Sequence, residues 1–503
     1  MIPVSSAAAQ QATLVEGLHQ HGFRQPEKRA IIAGMDALSF GELWRRIERF
    51  AAGLHSLGID RGSRVALSLP NRPEFAIAYF GTHMAGCTAV PLGPTCPDLG
   101  EITSLIAASV TVTTDGSGAT DSSQSCLPIG FIEDAGARRG ATNAGPSLLE
   151  DAEILFTTGT TGRRKGVVLT QLAVASTAAR INQVVPASPD DVEVVALPIT
   201  HSFGLGRLRC MALMGHTLVL VPGMRNPAVL LKEIQEKRAT GFSIVPTGMQ
   251  LLLRMLCPQT FATCRALKYI ELGSTRMPMQ TRRELARALP DVEIWHHYGL
   301  TEASRACFTE YHRDSERGET IGKASPGLEV TVRDASRNPV IGAAGEIVVK
   351  GPGILREYWQ DPERTRATID VHGFWTGDSA CLDSDGYLYL EGRRADLINV
   401  GGLKVLPEEV EEELRRVPGI EDACCIGIDD QVTGQVVKAY LVASNRPDRV
   451  ELVRALRDRL EEFKLPRIIQ YVKAIPRSQS GKILRQHLID LADAVKRQAG
   501  PSC

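Results

Sequence analysis

The chain has 503 residues, with 57 lysines and arginines against 58 aspartates and glutamates, so its formal net charge is −1. That length calls for more than one domain, and charge of both signs spread along the chain argues against nucleic acid or an acidic membrane as the main partner. Eleven scattered cysteines with no CxxC pair, an opening MIPVSSAAAQQATLVEGL unlike a signal peptide, and no apolar run near the ~20 residues of a membrane span predict a cytoplasmic protein with reduced thiols. Residues 42–57 have helical spacing, with Leu43, Ile47, Phe50, Ala51 and Leu54 on one face. Residues 64–69 read as a strand closed by Pro70-Asn71, 74–85 as a helix and 87–91 as the next strand. This alternation implies βαβ units and a mostly parallel sheet. The stretches 115–124 and 136–147, rich in Ser, Gly, Thr and Ala, read as connectors. After Asp378 short strands follow, with a turn at 383–386. A second α/β alternation starts at Val405, with amphipathic helices at 408–417 and 450–463.

The segment TTGTTGRRKG at 157–166 is the richest in chemistry. Glycines let backbone N–H groups approach a ligand closely. Thr157, Thr158, Thr160 and Thr161 add hydroxyls around Gly159 and Gly162, and Lys165 adds a mobile charge. The combination suits a polyphosphate. It is not a P-loop: Arg164 stands where a glycine should precede the lysine, and Gly166 where Ser or Thr should follow it. Apolar residues 154–156 and 167–169 flank it, so the motif is strand–loop–strand.

Further segments follow in order: YGLTE at 298–302, GE at 345–346 with GPG at 351–353 and Tyr358-Trp359, TGD at 376–378, GRRAD at 392–396 with Gly401-Gly402, PEEVE at 407–411, and GKILR at 481–485. With the Thr/Gly loop, these resemble the adenylate-forming superfamily of acyl- and aryl-CoA synthetases, luciferases and peptide-synthetase adenylation domains. The resemblance covers nearly the whole chain. It implies an α/β fold with a large N-terminal domain of mixed and parallel sheets with flanking helices, residues 1–393. A small mobile C-terminal α+β domain, 396–503, would follow a hinge near 394–396.

The implied reaction has two halves. A carboxylate attacks the α-phosphorus of ATP, releasing pyrophosphate; a thiol then takes the acyl group from the adenylate. The resemblance assigns ATP to the loop residues Thr157 to Gly162 and Lys165, to Gly273, Ser274 and Thr275, to His297, Tyr298, Gly299 and Thr301, and to Asp378, Arg393 and Lys482. Tyr298 would offer its ring to adenine, Asp378 would accept from the ribose, and Lys482 would bridge carboxylate and α-phosphate. Lys482, Thr301, Glu302 and Lys165 are the expected catalytic residues, with Glu302 the Mg²⁺ ligand. An alternative is that Thr301-Glu302-Ala303 opens a helix, with Glu302 an acid of its first turn. The acid would meet His201 and Phe203 in ALPITHSFGLG, Thr247, Gly273 and Gly299. Arg207 and Arg209 would face either a polar substituent of the acid or solvent. Gly401-Gly402 would let CoA's pantetheine pass.

Three positions depart from the family pattern. Arg164 replaces a proline, Ala395 stands where a hinge Asp or Lys is common, and Asn399 where lysine is common. The expected function is an AMP-forming acyl- or aryl-CoA ligase using ATP, Mg²⁺ and CoA. Alternatives are a ligase that loads a carrier protein's phosphopantetheine and a non-catalytic nucleotide-binding relative. The chain has no carrier-like segment of its own, so the thiol comes from outside. Neither the acid nor the oligomeric state is legible.

Overall fold

The computed structural model describes residues 12–490 except 95, 97, 117–124, 138–144, 159–163, 222–226, 256–262, 394–397, 401–402, 431–432, 458, 479–480, 482 and 486. The chain divides into two compact units. One gathers the residues up to Thr157, Arg164–Val330 and Val349–Phe374; the other gathers Thr158–Arg163, Thr331–Val348 and everything from Trp375 on.

The first unit holds two sheets. The larger has nine strands in the order Lys323–Ala324, Ala303–Glu310, Glu293–Leu300, Tyr269–Leu272, Gly241–Ile244, Val192–Val195, Thr217–Leu220, Arg29–Ala33 and Asp36–Ser39. Its six strands from Glu293–Leu300 to Arg29–Ala33 run parallel. Such strands are buried on both faces and read as apolar runs; Val194, Phe242, Ile244, Ile270, Leu272 and Ile294 form their core. The smaller sheet has seven strands, ordered Glu357–Tyr358, Arg164–Thr170, Asp151–Thr158, Thr88–Leu92, Arg64–Ser68, Val110–Thr113 and Cys126–Pro128. The predicted strand–loop–strand is present as Asp151–Thr158 and Arg164–Thr170, and its loop, 159–163, lies outside the described residues. The helix predicted at 42–57 is Phe40–Ser56. Ser39 caps it, and Glu42 closes the capping box.

The second unit carries strands Glu329–Arg333, Ala344–Lys350 and Gly373–Leu382 in that order, with Leu388–Arg393 antiparallel to the last. Its other sheet centres on the antiparallel pair Ile420–Asp430 and Gly434–Ala443, with Ile468–Tyr471 added in parallel. The helix Pro407–Arg415 packs Val410 and Leu414 into that sheet's core. The helix predicted at 450–463 is shorter, Arg449–Leu456, followed by a 3₁₀ turn at Glu462–Lys464. Leu460 and Leu465 remain buried beyond it. Apolar spacing outlasts the helix because the core claims those side chains without needing helical backbone.

Candidate active site

Four neighbouring parallel strands deliver most of the predicted residues. Val192–Val195 leads to His201, Gly241–Ile244 to Thr247, and Tyr269–Leu272 to Gly273, Ser274 and Thr275; Glu293–Leu300 ends in Tyr298 and Gly299. All lie at or just beyond carboxyl strand ends, where open parallel sheets bind ligands. Thr301 and Glu302 form the turn to the antiparallel strand Ala303–Glu310. Residues 301–303 therefore close a hairpin and do not open a helix. Two buried hydroxyls, Thr157 Oγ1 and Thr275 Oγ1, have no hydrogen-bond partner among the described residues. Unmet buried hydroxyls of this kind suit a ligand rich in acceptor oxygens.

Glu302 is sealed in, 3% exposed. Its Oε1 accepts from Tyr358 Oη at 2.9 Å and pairs with Lys165 Nζ. Lys165 also lies over the Tyr358 ring, 5.2 Å from its centroid. Burial alone would raise the Glu302 carboxyl; the Lys165 charge and both hydrogen bonds outweigh it and lower it. Burial and the Glu302 charge push the Tyr358 hydroxyl up, so Tyr358 stays a donor. The smaller sheet sets this geometry: Tyr358 pairs with Val167, two residues after Lys165.

Arg207 and Arg209 meet neither a substituent nor solvent. Both are buried at about full depth, 0% and 1% exposed. Arg207 donates to Glu193 through Nε at 2.7 Å and Nη2 at 2.6 Å, and its Nη1 lies 3.0 Å from Glu271 Oε2. Ser243 Oγ and Tyr269 Oη also donate to Glu193, at 2.6 and 3.1 Å. Arg209 pairs with Glu153 and donates to Tyr79 Oη at 3.0 Å. Charges with no water in reach must pair, and these do.

Glu271 joins this network to the predicted acid-binding residues. Its Oε1 is 2.8 Å from His297 Nδ1 and 3.1 Å from Arg305 Nε. The Arg305 guanidinium donates to the carbonyls of Ser202 and Phe203 and lies 4.9 Å from the Phe203 ring. Arg305 sits at φ 53° beside a break in strand register between Tyr298 and Leu300, the kind of irregularity that re-aims a side chain. Gly206 leaves room for it, because a Cβ there would stand 2.4 Å from Arg305 Nη1. Phe203 meets the His297 ring edge to face at 4.6 Å. Gly273 has the same logic: a Cβ would stand 2.0 Å from His297 Cε1. The bulk missing at Gly273 thus accommodates His297.

Burial raises Glu193, but Arg207 holds it at about 2. Burial likewise raises Glu271, and Arg305 and Arg207 hold it well below the carboxylate range. Burial, then Arg305, lowers His297 to about 4. His201 is solvent-accessible yet closely surrounded by protein, as in a cleft; that crowding and the Arg164 charge lower its pKa. Its Nδ1 shares a hydrogen bond with Thr200 Oγ1 at 3.1 Å.

In the second unit, Asp378 is 5% exposed. Its N–H donates to Thr376 Oγ1 at 3.2 Å, and Gly377 N–H donates to Glu346 at 2.9 Å. Asp378 pairs in register with Arg393. Arg485 of GKILR is tied to Glu408 at 2.6 Å and to Glu411. Lys482, Gly159, Thr160, Thr161, Gly162, Gly401, Gly402 and the hinge 394–396 lie outside the described residues.

A family model described as AMP-binding enzyme matches residues 18–359, and one described as AMP-binding enzyme C-terminal domain matches 409–482. The chain belongs to the AMP-binding enzyme family. It is 31% identical over 471 residues to a feruloyl-CoA synthase of an Amycolatopsis species, covering 92% of this chain and 95% of that one. It is 30% identical over 495 residues to the long-chain-fatty-acid–CoA ligase FadD13 of Mycobacterium tuberculosis, covering 95% and 96%. The structure of o-succinylbenzoate coenzyme A synthetase from Bacillus subtilis, in complex with ATP and magnesium ion, matches with a TM-score of 0.84 at 26% identity, covering 94% and 99%. This family member is an AMP-forming acid–thiol ligase of the acyl-CoA synthetase type, with ATP, Mg²⁺ and CoA as cofactor and co-substrates. Among the described residues no helix is long and apolar enough to cross a membrane.

Sequence reasoning missed Tyr358 as a partner of Glu302, and Glu193, Glu271 and Arg305 altogether. Glu193 in VEVV and Glu271 in YIEL are lone carboxylates inside apolar strands. That placement demands a buried cation, and Arg207 in an apolar helix is its complement for both carboxylates. Glu302 fits a divalent ion: a single sealed carboxylate, oriented by Tyr358, suits Mg²⁺, which takes one or two carboxylates and completes its shell with phosphate oxygens and water.

Proposed function

We propose that this enzyme activates a monocarboxylic acid with an apolar body at the carboxyl ends of the four parallel strands and passes the acyl group to free CoA. The observation that carries this is the convergence at those strand ends of a sealed carboxylate with an exchangeable lysine partner, orphaned hydroxyls and an aromatic wall. His201, Phe203, Thr247, Gly273 and Gly299 bind the acid; His297, which the resemblance gave to ATP, is reassigned to this group because its ring meets Phe203 edge to face. Tyr298, Thr275, Thr157 and the Thr/Gly loop take ATP, with Asp378 and Arg393 on the ribose. Glu302 would hold Mg²⁺, which when bound offsets charge on the phosphates during transfer. Lys165 then leaves Glu302 for the phosphates, and Thr301 donates to the α-phosphate. Lys482 adds positive charge where the carboxylate oxygen attacks phosphorus and pyrophosphate departs.

The moving part would begin at 396, inside the second compact unit, and rotation about 394–396 would exchange the adenylation arrangement for one open to the thiol. Gly401-Gly402 then lines the pantetheine's path. Nine described cysteines are free, which suits work in the cytoplasm. The test is a panel of acids scored first for acid-dependent pyrophosphate release from ATP, then for thioester formation with CoA and with a holo carrier protein. Release with at least one acid, followed by acyl-CoA, is expected. Adenylate without acyl-CoA at millimolar CoA would move the acceptor to a carrier protein. No release with any acid would remove the ligase reading.

A further inference from the structure

We propose that His296 is a positioning residue for ATP: its hydrogen bond to the Thr275 carbonyl, backed by Tyr311 and Arg282, holds residues 273–277 in a strained shape before the nucleotide arrives. The proposal rests on the assignment of Gly273, Ser274 and Thr275 to ATP above. It goes beyond that assignment by naming the side chains that act on the nucleotide through this segment.

The strain is local. Ser274 sits at φ 83°, in the left-handed region that favours glycine. A serine stays there only where its surroundings hold it. Its own side chain is exposed and packs on nothing that would do so. The hold comes from its neighbours. The Thr275 carbonyl lies 3.0 Å from His296 Nε2, and the Met277 carbonyl accepts from Arg282 Nε at 3.0 Å. Met277 itself is sunk in the core of the larger sheet.

The direction of the His296 bond follows from its chemistry. A carbonyl can only accept, so Nε2 carries the proton. Burial, and then the Arg282 charge, keep the ring neutral, which leaves Nδ1 a bare acceptor. Tyr311 Oη stands 2.9 Å from Nδ1 and donates to it. The Tyr311 ring in turn meets the Arg282 guanidinium, 5.3 Å from its centroid, and Arg282 also donates to the Thr320 carbonyl at 3.2 Å. The contacts close on themselves: Arg282 holds the segment at Met277, and through Tyr311 and His296 the same cluster braces it at Thr275. Both ring nitrogens of His296 are spent within the protein, so it reaches a ligand only through Thr275.

The braced segment lies with the other residues assigned to the nucleotide. His296 and Tyr298 are two apart in one strand and share a face, which puts the Thr275 carbonyl on the side of the strand that carries Tyr298. Thr275 Oγ1 is buried and has no partner among the described residues. Fixing that hydroxyl and its turn in advance removes an ordering cost from binding.

The test compares two amides at position 296. His296→Gln carries its NH2 group near the place of Nε2 and keeps a donor for Thr275. His296→Asn carries its amide near Nδ1, keeps a partner for Tyr311 and leaves the Thr275 carbonyl without a donor. Calorimetry of ATP binding with Mg²⁺, in the absence of acid, should show Kd raised by about 5–30-fold in His296→Asn, with His296→Gln recovering most of that loss. The KM of an acid that supports pyrophosphate release should move by less than about threefold in either variant. Ser274→Gly relieves the left-handed strain, so adding it to His296→Asn should recover ATP affinity by more than it changes that of the wild type. Independently of any variant's folding, ¹⁵N-histidine NMR of the wild-type enzyme should assign the Nε2–H tautomer to His296. ATP binding by His296→Asn as tight as that of the wild type overturns the proposal. So does equal loss in the two amide variants, equal loss of ATP and acid binding, no gain from Ser274→Gly, or an Nδ1–H tautomer. A wild-type enzyme that releases no pyrophosphate with any acid would instead overturn the ligase reading, and this proposal with it.

Discussion

Replacing Arg207 with methionine keeps most of the side chain's length and removes its charge. The structure sets what this costs. Arg207 is fully buried and serves two carboxylates, Glu193 through two hydrogen bonds and Glu271 through one 3.0 Å contact. Glu271 keeps Arg305; Glu193 keeps only the hydroxyls of Ser243 and Tyr269 and the ring of His216, 3.4 Å away. Removing one member of such a pair typically costs about 3–5 kcal/mol, against a total stability of about 5–15 kcal/mol for a typical protein. Urea denaturation of the first unit at neutral pH should therefore show a loss within that range.

The pH dependence sharpens the expectation. In the wild type Glu193 is held at about 2, below its ordinary 4.5. Its stabilisation is fully present above 4.5 and is lost only as pH falls towards 2, so the wild type should be flat in this respect between pH 7.5 and 5.5. Without Arg207, burial raises Glu193, and folding then takes up a proton. The variant gains stability as pH falls over the same window, and its gap to the wild type narrows. Adding Glu193→Gln, which keeps one acceptor oxygen for Ser243 or Tyr269 and turns an NH2 donor toward the other hydroxyl's oxygen, should recover more than half of the loss at neutral pH. A loss below about 1 kcal/mol, or a gap that does not narrow on acidification, would refute the argument that Arg207 and Glu193 are an obligatory buried pair.

Three further outcomes follow from the site. Lys482→Ala should slow adenylation by about 10²–10³ while supplied acyl-AMP still becomes thioester; equal loss of both half-reactions in a folded protein would separate Lys482 from the first step. Tyr358→Phe removes the 2.9 Å hydrogen bond that orients Glu302. The Mn²⁺ affinity of the ATP complex, read by EPR, should fall by about 3–30-fold, with acid KM little changed; unchanged metal affinity would make Tyr358 a packing residue. Ala395→Pro fixes φ near −65° and should spare pyrophosphate release while suppressing thioester formation, and an intact second step would move the hinge elsewhere.

What the sequence made legible were the residues whose chemistry is local. Glycines, hydroxyls and a lysine spaced at 157–166 suit a polyphosphate by their local chemistry, whereas His201, Thr247, Gly273 and Tyr298 are picked out by the family resemblance, and the structure sets them at or just beyond the carboxyl ends of parallel strands. Arg207 and Arg209 were misread because their partners, Glu193, Glu271 and Glu153, are 14–64 residues away in the chain. A pairing between a helix and the strands beside it leaves no short-range pattern. Tyr358 escaped for the same reason: it reaches Glu302 across 56 residues. The helix start considered at Thr301 failed because local propensity yielded to the pairing of Ala303–Glu310 along Glu293–Leu300.

The two kinds of ion pair in this unit differ in one physical respect that separates frame from machinery. Arg207 and Glu193 are both 0% exposed, so neither can part without stranding a charge in the protein interior. Lys165 has 25% of its side chain exposed while its partner Glu302 has 4%. Lysine can therefore swing out, stay hydrated on its flexible stem and meet incoming phosphates, while Glu302 remains oriented by Tyr358. On the roles proposed here, the positive charge that leaves Glu302 with Lys165 would be replaced by a divalent ion, so the two events would form one exchange, which nucleotide phosphates would favour from both sides. Metal binding at Glu302 should consequently be weak in the free enzyme and strong in the ATP complex, and the fully buried pairs behind His297 should be indifferent to either ligand.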